Sequence, residues 1–381
     1  MSGTSQRLRV LLATRNYLPH IGGVENYVYQ VGRRLAYAGA DVTILTTAYS
    51  DRRPDTEEAD GMHIRRVKSW LDKGFFYFAP DIYSIIAGGG WDVVHCHDVF
   101  LFGWQVMLAS WRAGIPYIVT LHGYPLPPLL GEGVSSSRAI RYLRDVIRKL
   151  KWATVCPLFR RAKRLIGVSR IAAERFQKQL HLPEEHFAVI SPGGDLPKVM
   201  TTPARITNGP VIVSPGRLER YKGHHRIIAA LPLVCKYYPD VILRVVGAGP
   251  YEAALWRLAR DIGVADRVQI EAIPAEDRSG MSQVLMDASL VTQFTEYEGQ
   301  SIVTLEALSL GRSVLVADIP AFREFAEQGL VRAIPLESTV EEVAAAVLHQ
   351  LREPLVPSQI PIPTWDDCAM DLLTLYHKVK G

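Results

Sequence analysis

Short apolar runs and amphipathic stretches alternate along the 381-residue chain from one end to the other. In the first half "LRVLLAT" (Leu8 to Thr14), "DVTILTT", "HIRRV", "DVVHCH", "PYIVTLH" and "RLIGVS" read as strands, with helical patterns between most of them. Short, nearly continuous aliphatic runs of this kind suit strands covered on both faces, and their alternation with helices predicts a doubly wound parallel sheet. Around Ser191 the texture changes. "SPGGDLPKVMTTPARITNGP" is rich in Pro, Gly and Thr and has no clear period, which marks a linker. The alternation then restarts with "VIVSPGR", "VILRVVGAG", "RVQIEAI", "SLVTQF", "SVLVAD" and "VRAIP", and "TWDDCAMDLLTLYHKV" reads as a final helix. The expected organisation is an α/β domain over 1–192, a linker over 193–210, a second α/β domain over 211–360 and a helix within 361–381. Two Rossmann-like halves facing one another would leave a central cleft at the carboxyl ends of their strands, where such sheets bind ligands.

Composition adds bounds. With 48% hydrophobic and 22% charged residues the chain can bury two cores, and no uninterrupted apolar stretch approaches the ~18 residues of a membrane span. Arg7, Arg9 and Arg15 precede any long apolar run, so no secretory signal is expected. Four scattered cysteines (Cys96, Cys156, Cys235, Cys368) show neither a pairing framework nor ligand spacing; they are expected to be reduced, which suits the cytoplasm. Net charge is only +4, but cations cluster between Arg138 and Arg164.

The stretch "EYEGQSIVTLEALSLG" carries the first chemical question. Ser301 is a fair N-cap, Ile302 to Leu310 a helix, and Gly311 a natural stop. On a helical wheel Glu306 falls in the middle of the apolar arc formed by Ile302, Val303, Leu305, Leu308 and Leu310, where a carboxylate costs several kcal/mol unless it is hydrogen-bonded. An ion pair with an arginine from a neighbouring element and a ligand site both satisfy it. Elsewhere, Gly22 and Gly23 lie between the first strand and its helix, a place for either a tight turn or a phosphate against free N–H groups. Arg217 follows a strand and Lys222 precedes a helix in "SPGRLERYKG"; two cations there suit a diphosphate. "VVHCHD" puts His95, His97 and Asp98 at a strand end; the His-x-His pair could begin a metal site, but no third ligand of recognisable spacing accompanies it, and imidazoles bonded to backbone at strand ends are commoner. His122 follows an apolar strand and precedes Gly123, which lets a ligand approach.

Taken together, "YLPHIGGVENYV", "DVVHCHD", "TLHG", "GRLERYKG", "VVGAGP" and above all "EYEGQSIVTLEALSLGRSVLVAD" resemble the retaining GT-B glycosyltransferases of the family 4 group, over nearly the full length. The resemblance implies a hexosyltransferase using a nucleotide-diphosphate sugar, UDP-sugar before GDP-mannose. The acceptor would be a glycan, a lipid-linked sugar or a small molecule. On matching positions it implies that Glu306 holds the ribose, Glu298 approaches the donor sugar, and Gly299, Gln300, Ser301 and Ile302 offer backbone N–H groups to the diphosphate. Arg217, Lys222, Gly22 and Gly23 would neutralise that diphosphate, and His122 would sit beside the sugar. Neither a metal nor another cofactor, and no nucleic acid, is implied.

Departures bear on specificity. Ala272 stands where relatives commonly have glycine near the base, and "IPAFREFAEQG" lacks a double glycine. An epimerase or hydrolase of the same architecture and a non-catalytic sugar-nucleotide-binding partner are the competing readings. The aromatic run Lys73 to Ile86 is either acceptor surface or core. In the basic run Arg138–Arg164, Arg138 to Lys151 reads as an amphipathic helix with an almost wholly positive outer face, and Arg160, Arg161, Lys163 and Arg164 follow; an anionic leaflet and an anionic soluble acceptor fit the patch equally.

Overall fold

The structure is a computed structural model that describes residues 7–20, 22–48, 54–73, 76–123, 155–195, 209–274 and 277–380. It divides into two compact units: the described residues of Met1–His20, Val24–Ser191 and Trp365–Gly381, and those of Ile21–Gly23 and Pro192–Thr364.

The first unit is built on an eight-stranded sheet of order β10-β9-β8-β7-β1-β2-β4-β3. Its strands are β1 (Arg9–Ala13), β2 (Asp41–Thr47), β3 (Thr56–Ala59), β4 (Met62–Val67), β7 (Val93–Cys96), β8 (Tyr117–Leu121), β9 (Arg164–Gly167) and β10 (Phe187–Val189). All neighbours run parallel except β3, which pairs antiparallel with β4 at the edge. A separate hairpin joins β5 (Leu71–Lys73) to β6 (Phe76–Phe78). The central strands are buried apart from Arg9 at the start of β1, as their unbroken aliphatic runs require. Helices α1 (Gly23–Tyr37), α2 (Asp81–Gly88) and α3 (Leu101–Arg112) follow, and α4 (Arg170–Leu180) starts at an N-cap, Ser169, whose side chain accepts from Ala172 N at 3.2 Å. The stretch Lys73 to Ile86 divides between hairpin and α2: Tyr77, Ile82, Ile85 and Ile86 are core, whereas Phe78 and Tyr83 are exposed.

The second unit carries a six-stranded, wholly parallel sheet of order β13-β12-β11-β14-β15-β16. These are β11 (Val211–Pro215), β12 (Ile242–Val246), β13 (Val268–Glu271), β14 (Leu290–Gln293), β15 (Val314–Ala317) and β16 (Arg332–Ile334). The connecting helices are α5 (His224–Cys235), α6 (Glu252–Asp261), α7 (Arg278–Asp287), α8 (Ile302–Ser309), α9 (Pro320–Glu327) and α10 (Val340–Arg352). This is the Rossmann strand order, and its direction of winding reverses between β11 and β14. In the first sheet the reversal lies between β1 and β7.

Helix α11 (Trp365–Lys380) belongs to the first unit although it follows the whole second one. It buries Trp365, Cys368, Ala369, Leu372 and Tyr376, a single stripe at helical spacing. Asp366 accepts from Arg34 Nε of α1 at 2.6 Å, and Lys380 pairs with Asp92 at 3.0 Å, so both ends of α11 are tied down.

Candidate active site

Most candidate residues named from the sequence that the structure describes lie past a strand's carboxyl end or in the helix that follows it, and His95 lies within β7. In the second unit the loop after β11 is held by its neighbour. Gly216 N donates to Val246 O at 2.9 Å and Leu218 N to Ala248 O at 2.9 Å. A Cβ on Gly247 would stand 2.0 Å from Gly216 O, so only glycine allows the two loops to meet backbone to backbone. Arg217 projects from this loop and donates to the Tyr221 hydroxyl at 2.7 Å. Residues Arg220–Lys222 form a single 3₁₀ turn that ends at Gly223, with φ 75°. A Cβ there would stand 2.1 Å from Phe294 O, so the turn is pressed onto the chain leaving β14.

The loop after β14 is fixed as firmly. Glu296 N donates to Tyr221 O at 2.8 Å, the Tyr221 and Tyr297 rings stack at 4.3 Å, and Thr295 Oγ1 donates to Tyr297 O at 2.8 Å. These contacts bring Lys222 Nζ to Glu298 Oε2 at 2.5 Å, with both side chains largely covered. Gly299 and Gln300 complete the loop, and Ser301 caps α8 by accepting from Thr304 N at 3.3 Å. The first N–H groups of a helix have no partner within it, so the start of α8 offers donors and a favourable dipole next to the Lys222–Glu298 pair, while Gly299 N donates to Glu298 Oε1 at 3.2 Å. Gly311 ends the segment at φ 66°, as the sequence reading required.

Glu306 is 2% exposed and pairs with Arg278 Nη2, from the first residue of α7. The ion-pair reading of this carboxylate is therefore correct for its protein partner. Burial pushes Glu306 up to about 7, against the pull of the Arg278 guanidinium, and Asp195 adds to the rise. Arg278 was not recognisable as a site residue. It sits at a helix start with no periodic signal, and the only sequence clue was that a buried carboxylate needs a cation.

Gly22 lies in the bend before α1 and Gly23 is that helix's first residue, and both group with the second unit. The histidines make a cluster that sequence reasoning did not foresee. His95 and His97 alternate on β7 and its end, Thr120 and His122 on β8 and its end, and residues two apart share a face of a sheet. His95 Nδ1 lies 2.6 Å from the Tyr376 hydroxyl of α11 and its Nε2 2.7 Å from Thr120 Oγ1. His97 Nδ1 lies 2.9 Å from His122 Nε2. These imidazoles bond to side chains, where bonds to backbone were expected. Tyr27 of α1 packs edge-on against His122 at 4.8 Å and against Trp365 at 5.7 Å. Burial holds all three histidines neutral, His122 down to about 3. Asp98 turns into backbone, accepting from Phe100 N at 2.6 Å. Among the described residues no group of His, Cys, Asp and Glu is arranged to hold a metal ion.

Of the basic run, residues 138–154 lie outside the described residues. Arg160, Arg161, Lys163 and Arg164 are exposed, and Arg161 lies 4.6 Å over the Trp111 ring.

A family profile described as Glycosyltransferase Family 4 matches residues 21–198, and one described as Glycosyl transferases group 1 matches residues 200–359. A GDP-mannose-dependent alpha-(1-6)-phosphatidylinositol monomannoside mannosyltransferase of Mycolicibacterium smegmatis is 30% identical, over 91% of this chain and 90% of its own. The chain belongs to the family 4, group 1 glycosyltransferases. This glycosyltransferase is also 26% identical to a D-inositol 3-phosphate glycosyltransferase of Jonesia denitrificans, over 94% of this chain and 92% of that one. Its fold matches the sucrose-phosphate synthase of Thermosynechococcus elongatus with a TM-score of 0.75 at 18% identity, covering 98% and 99% of the two chains. The architecture is GT-B, and the protein is a hexosyltransferase.

The Arg278–Glu306 pair gives a pH-dependent expectation. Glu306 titrates higher in the folded chain than in the unfolded one, so between the two values the folded state binds the extra proton and stability falls as pH rises. Arg278→Met removes the downward pull and drives the carboxyl higher. Urea midpoints of Arg278→Met and wild type should therefore run parallel below about pH 6 and diverge above pH 7, by about 1.4 kcal/mol per unit of added shift. Glu306→Gln should remove the divergence, and parallel curves up to pH 8.5 would show that Arg278 does not govern this carboxyl.

Proposed function

We propose that this glycosyltransferase moves a hexose from a nucleoside diphosphate sugar to an acceptor hydroxyl with retention of anomeric configuration and without a metal ion. The observation that carries the reading is the Lys222–Glu298 pair at 2.5 Å. It is set beside Arg217 and the start of α8 at the point where the second sheet reverses. A diphosphate arriving there meets two cations and a helix N-terminus, the means by which leaving-group charge is stabilised when no cation is bound. It also competes with Glu298 for the Lys222 ammonium, which turns the carboxylate towards the sugar. Glu306 takes the ribose hydroxyls, His122 stands beside the sugar, and Gly22 and Gly23 allow close approach.

In the transfer the bond from the anomeric carbon to the phosphate oxygen breaks and the bond to the acceptor oxygen forms on the same face. The proton of the acceptor hydroxyl passes to the departing phosphate, leaving glycoside and nucleoside diphosphate. No side chain here is assigned as a covalent nucleophile. The sequence reading placed a UDP-sugar first; the name of the 30% identical relative sets GDP-mannose beside it. The acceptor is a sugar-bearing lipid or a glycan, and exposed Arg160, Arg161, Lys163 and Arg164 support a peripheral position on an anionic cytoplasmic leaflet.

Calorimetry with UDP and GDP should identify the base. Glu306→Ala should then weaken the preferred nucleotide roughly tenfold or more, because a hydrogen bond to a charged group contributes ~1.5–3 kcal/mol. Glu298→Gln should lower turnover more than nucleotide affinity; the opposite pattern would exchange the two roles. Transfer should survive EDTA and give a product of the donor's anomeric form. Loss of activity with EDTA, an inverted product, or full turnover of donor without acceptor would each reject the proposal. Sedimentation should show binding to vesicles containing anionic lipid that weakens with added salt; protein left in the supernatant at low salt would favour a soluble acceptor.

A further inference from the structure

We propose that His97 is a positioning residue: it fixes which ring nitrogen of His122 carries the proton, so that His122 presents an Nδ1–H donor to the ligand beside it. That ligand is the donor sugar on the reading above, on which this inference rests.

The argument starts from proton counting. Each neutral imidazole has one N–H and one bare nitrogen. His97 Nδ1 and His122 Nε2 lie 2.9 Å apart, so one of them must carry hydrogen and the other must not. If His122 Nε2 were the donor, the proton of His97 would sit on its own Nε2. That atom is buried, without a hydrogen-bond partner among the described residues, and His97 is only 4% exposed. The opposite arrangement leaves a bare lone pair there instead. Buried N–H groups without acceptors are rarer in proteins than under-satisfied acceptors, so His97 Nδ1–H donates to His122 Nε2. The proton of His122 then resides on Nδ1.

The pair is also closed to exchange from behind. The His95 ring lies tilted against His97 with ring centroids 4.0 Å apart, but both His95 nitrogens are engaged, by Tyr376 and Thr120. Tyr27, edge-on at 4.8 Å, restrains the His122 ring against rotation. Burial keeps His97 uncharged, so it donates this hydrogen bond without becoming an acid itself. A free histidine prefers its proton on Nε2. The Nδ1–H form of His122 is therefore a state imposed by its neighbour, and it can be observed directly.

The test is a long-range proton–nitrogen correlation spectrum of the full chain labelled with ¹⁵N-histidine, with His122 assigned by the signals lost in His122→Ala. Wild type should show His122 protonated at Nδ1 and bare at Nε2. In His97→Phe the His122 signals should move to the Nε2–H form and turnover should fall roughly 10- to 100-fold, the loss seen when a group that orients a metal-bound imidazole is removed. His97→Asn, whose side-chain amide places an N–H where Nδ1 stands, should restore the tautomer and much of the rate. A wild-type His122 protonated at Nε2, or a folded His97→Phe with the tautomer unchanged, would overturn the proposal; the wild-type spectrum decides even if a variant does not fold. Full turnover by His122→Ala would instead remove His122 from the sugar and leave the tautomer assignment standing.

Discussion

The organising constraint is the reversal of strand order inside each parallel sheet. Where neighbouring strands send their following helices to opposite faces, the loops at the carboxyl ends diverge and leave room above the sheet edge. In the second unit β11 and β14 flank that point. Arg217 and Lys222 leave one strand, Glu298 leaves the other, and the 3₁₀ turn pressed onto the chain at Phe294 holds the two departures in register. In the first unit the same reversal lies between β1 and β7, and the histidines of β7 and of the chain past β7 and β8 gather at that sheet end.

Polar groups placed at such points are covered by helices, and the two units meet that cost differently. The second keeps charges and pairs them: Lys222 with Glu298, Arg278 with Glu306. The first discharges its groups, since three neighbouring imidazoles under α1 and α11 cannot all be solvated and hold no proton beyond the neutral form. A diphosphate needs cations, and a sugar hydroxyl needs a donor or acceptor of fixed polarity. The division of electrostatic style between the units follows the division of chemistry proposed for them.

Much of this was legible in the sequence because buried parallel strands leave unbroken aliphatic runs, and each expected strand was found. What escaped was what lacks that pattern. β3, "TEEA", is a polar edge strand, β10 is three residues long, and the β5–β6 hairpin hides in an aromatic run. At the site, Lys222 and Glu298 were legible as residues but not as a pair, since 76 positions separate them. Arg278 was silent for the same reason: a long-range contact leaves no period. The histidines were visible, yet their partners were misjudged, because only the parallel register of β7 and β8 shows that their alternate positions share a face.

Helix α11 has a consequence for how the molecule is made. The first unit is interrupted by the second, so in the language of synthesis the second is an insertion within it. A nascent chain can complete the sheet of β1 to β10 long before residues 365–380 emerge, but until then Tyr27, His95 and the stripe beneath Trp365 and Tyr376 have no cover. Native polarity at the histidine cluster is therefore acquired last, after the second unit has already had time to fold.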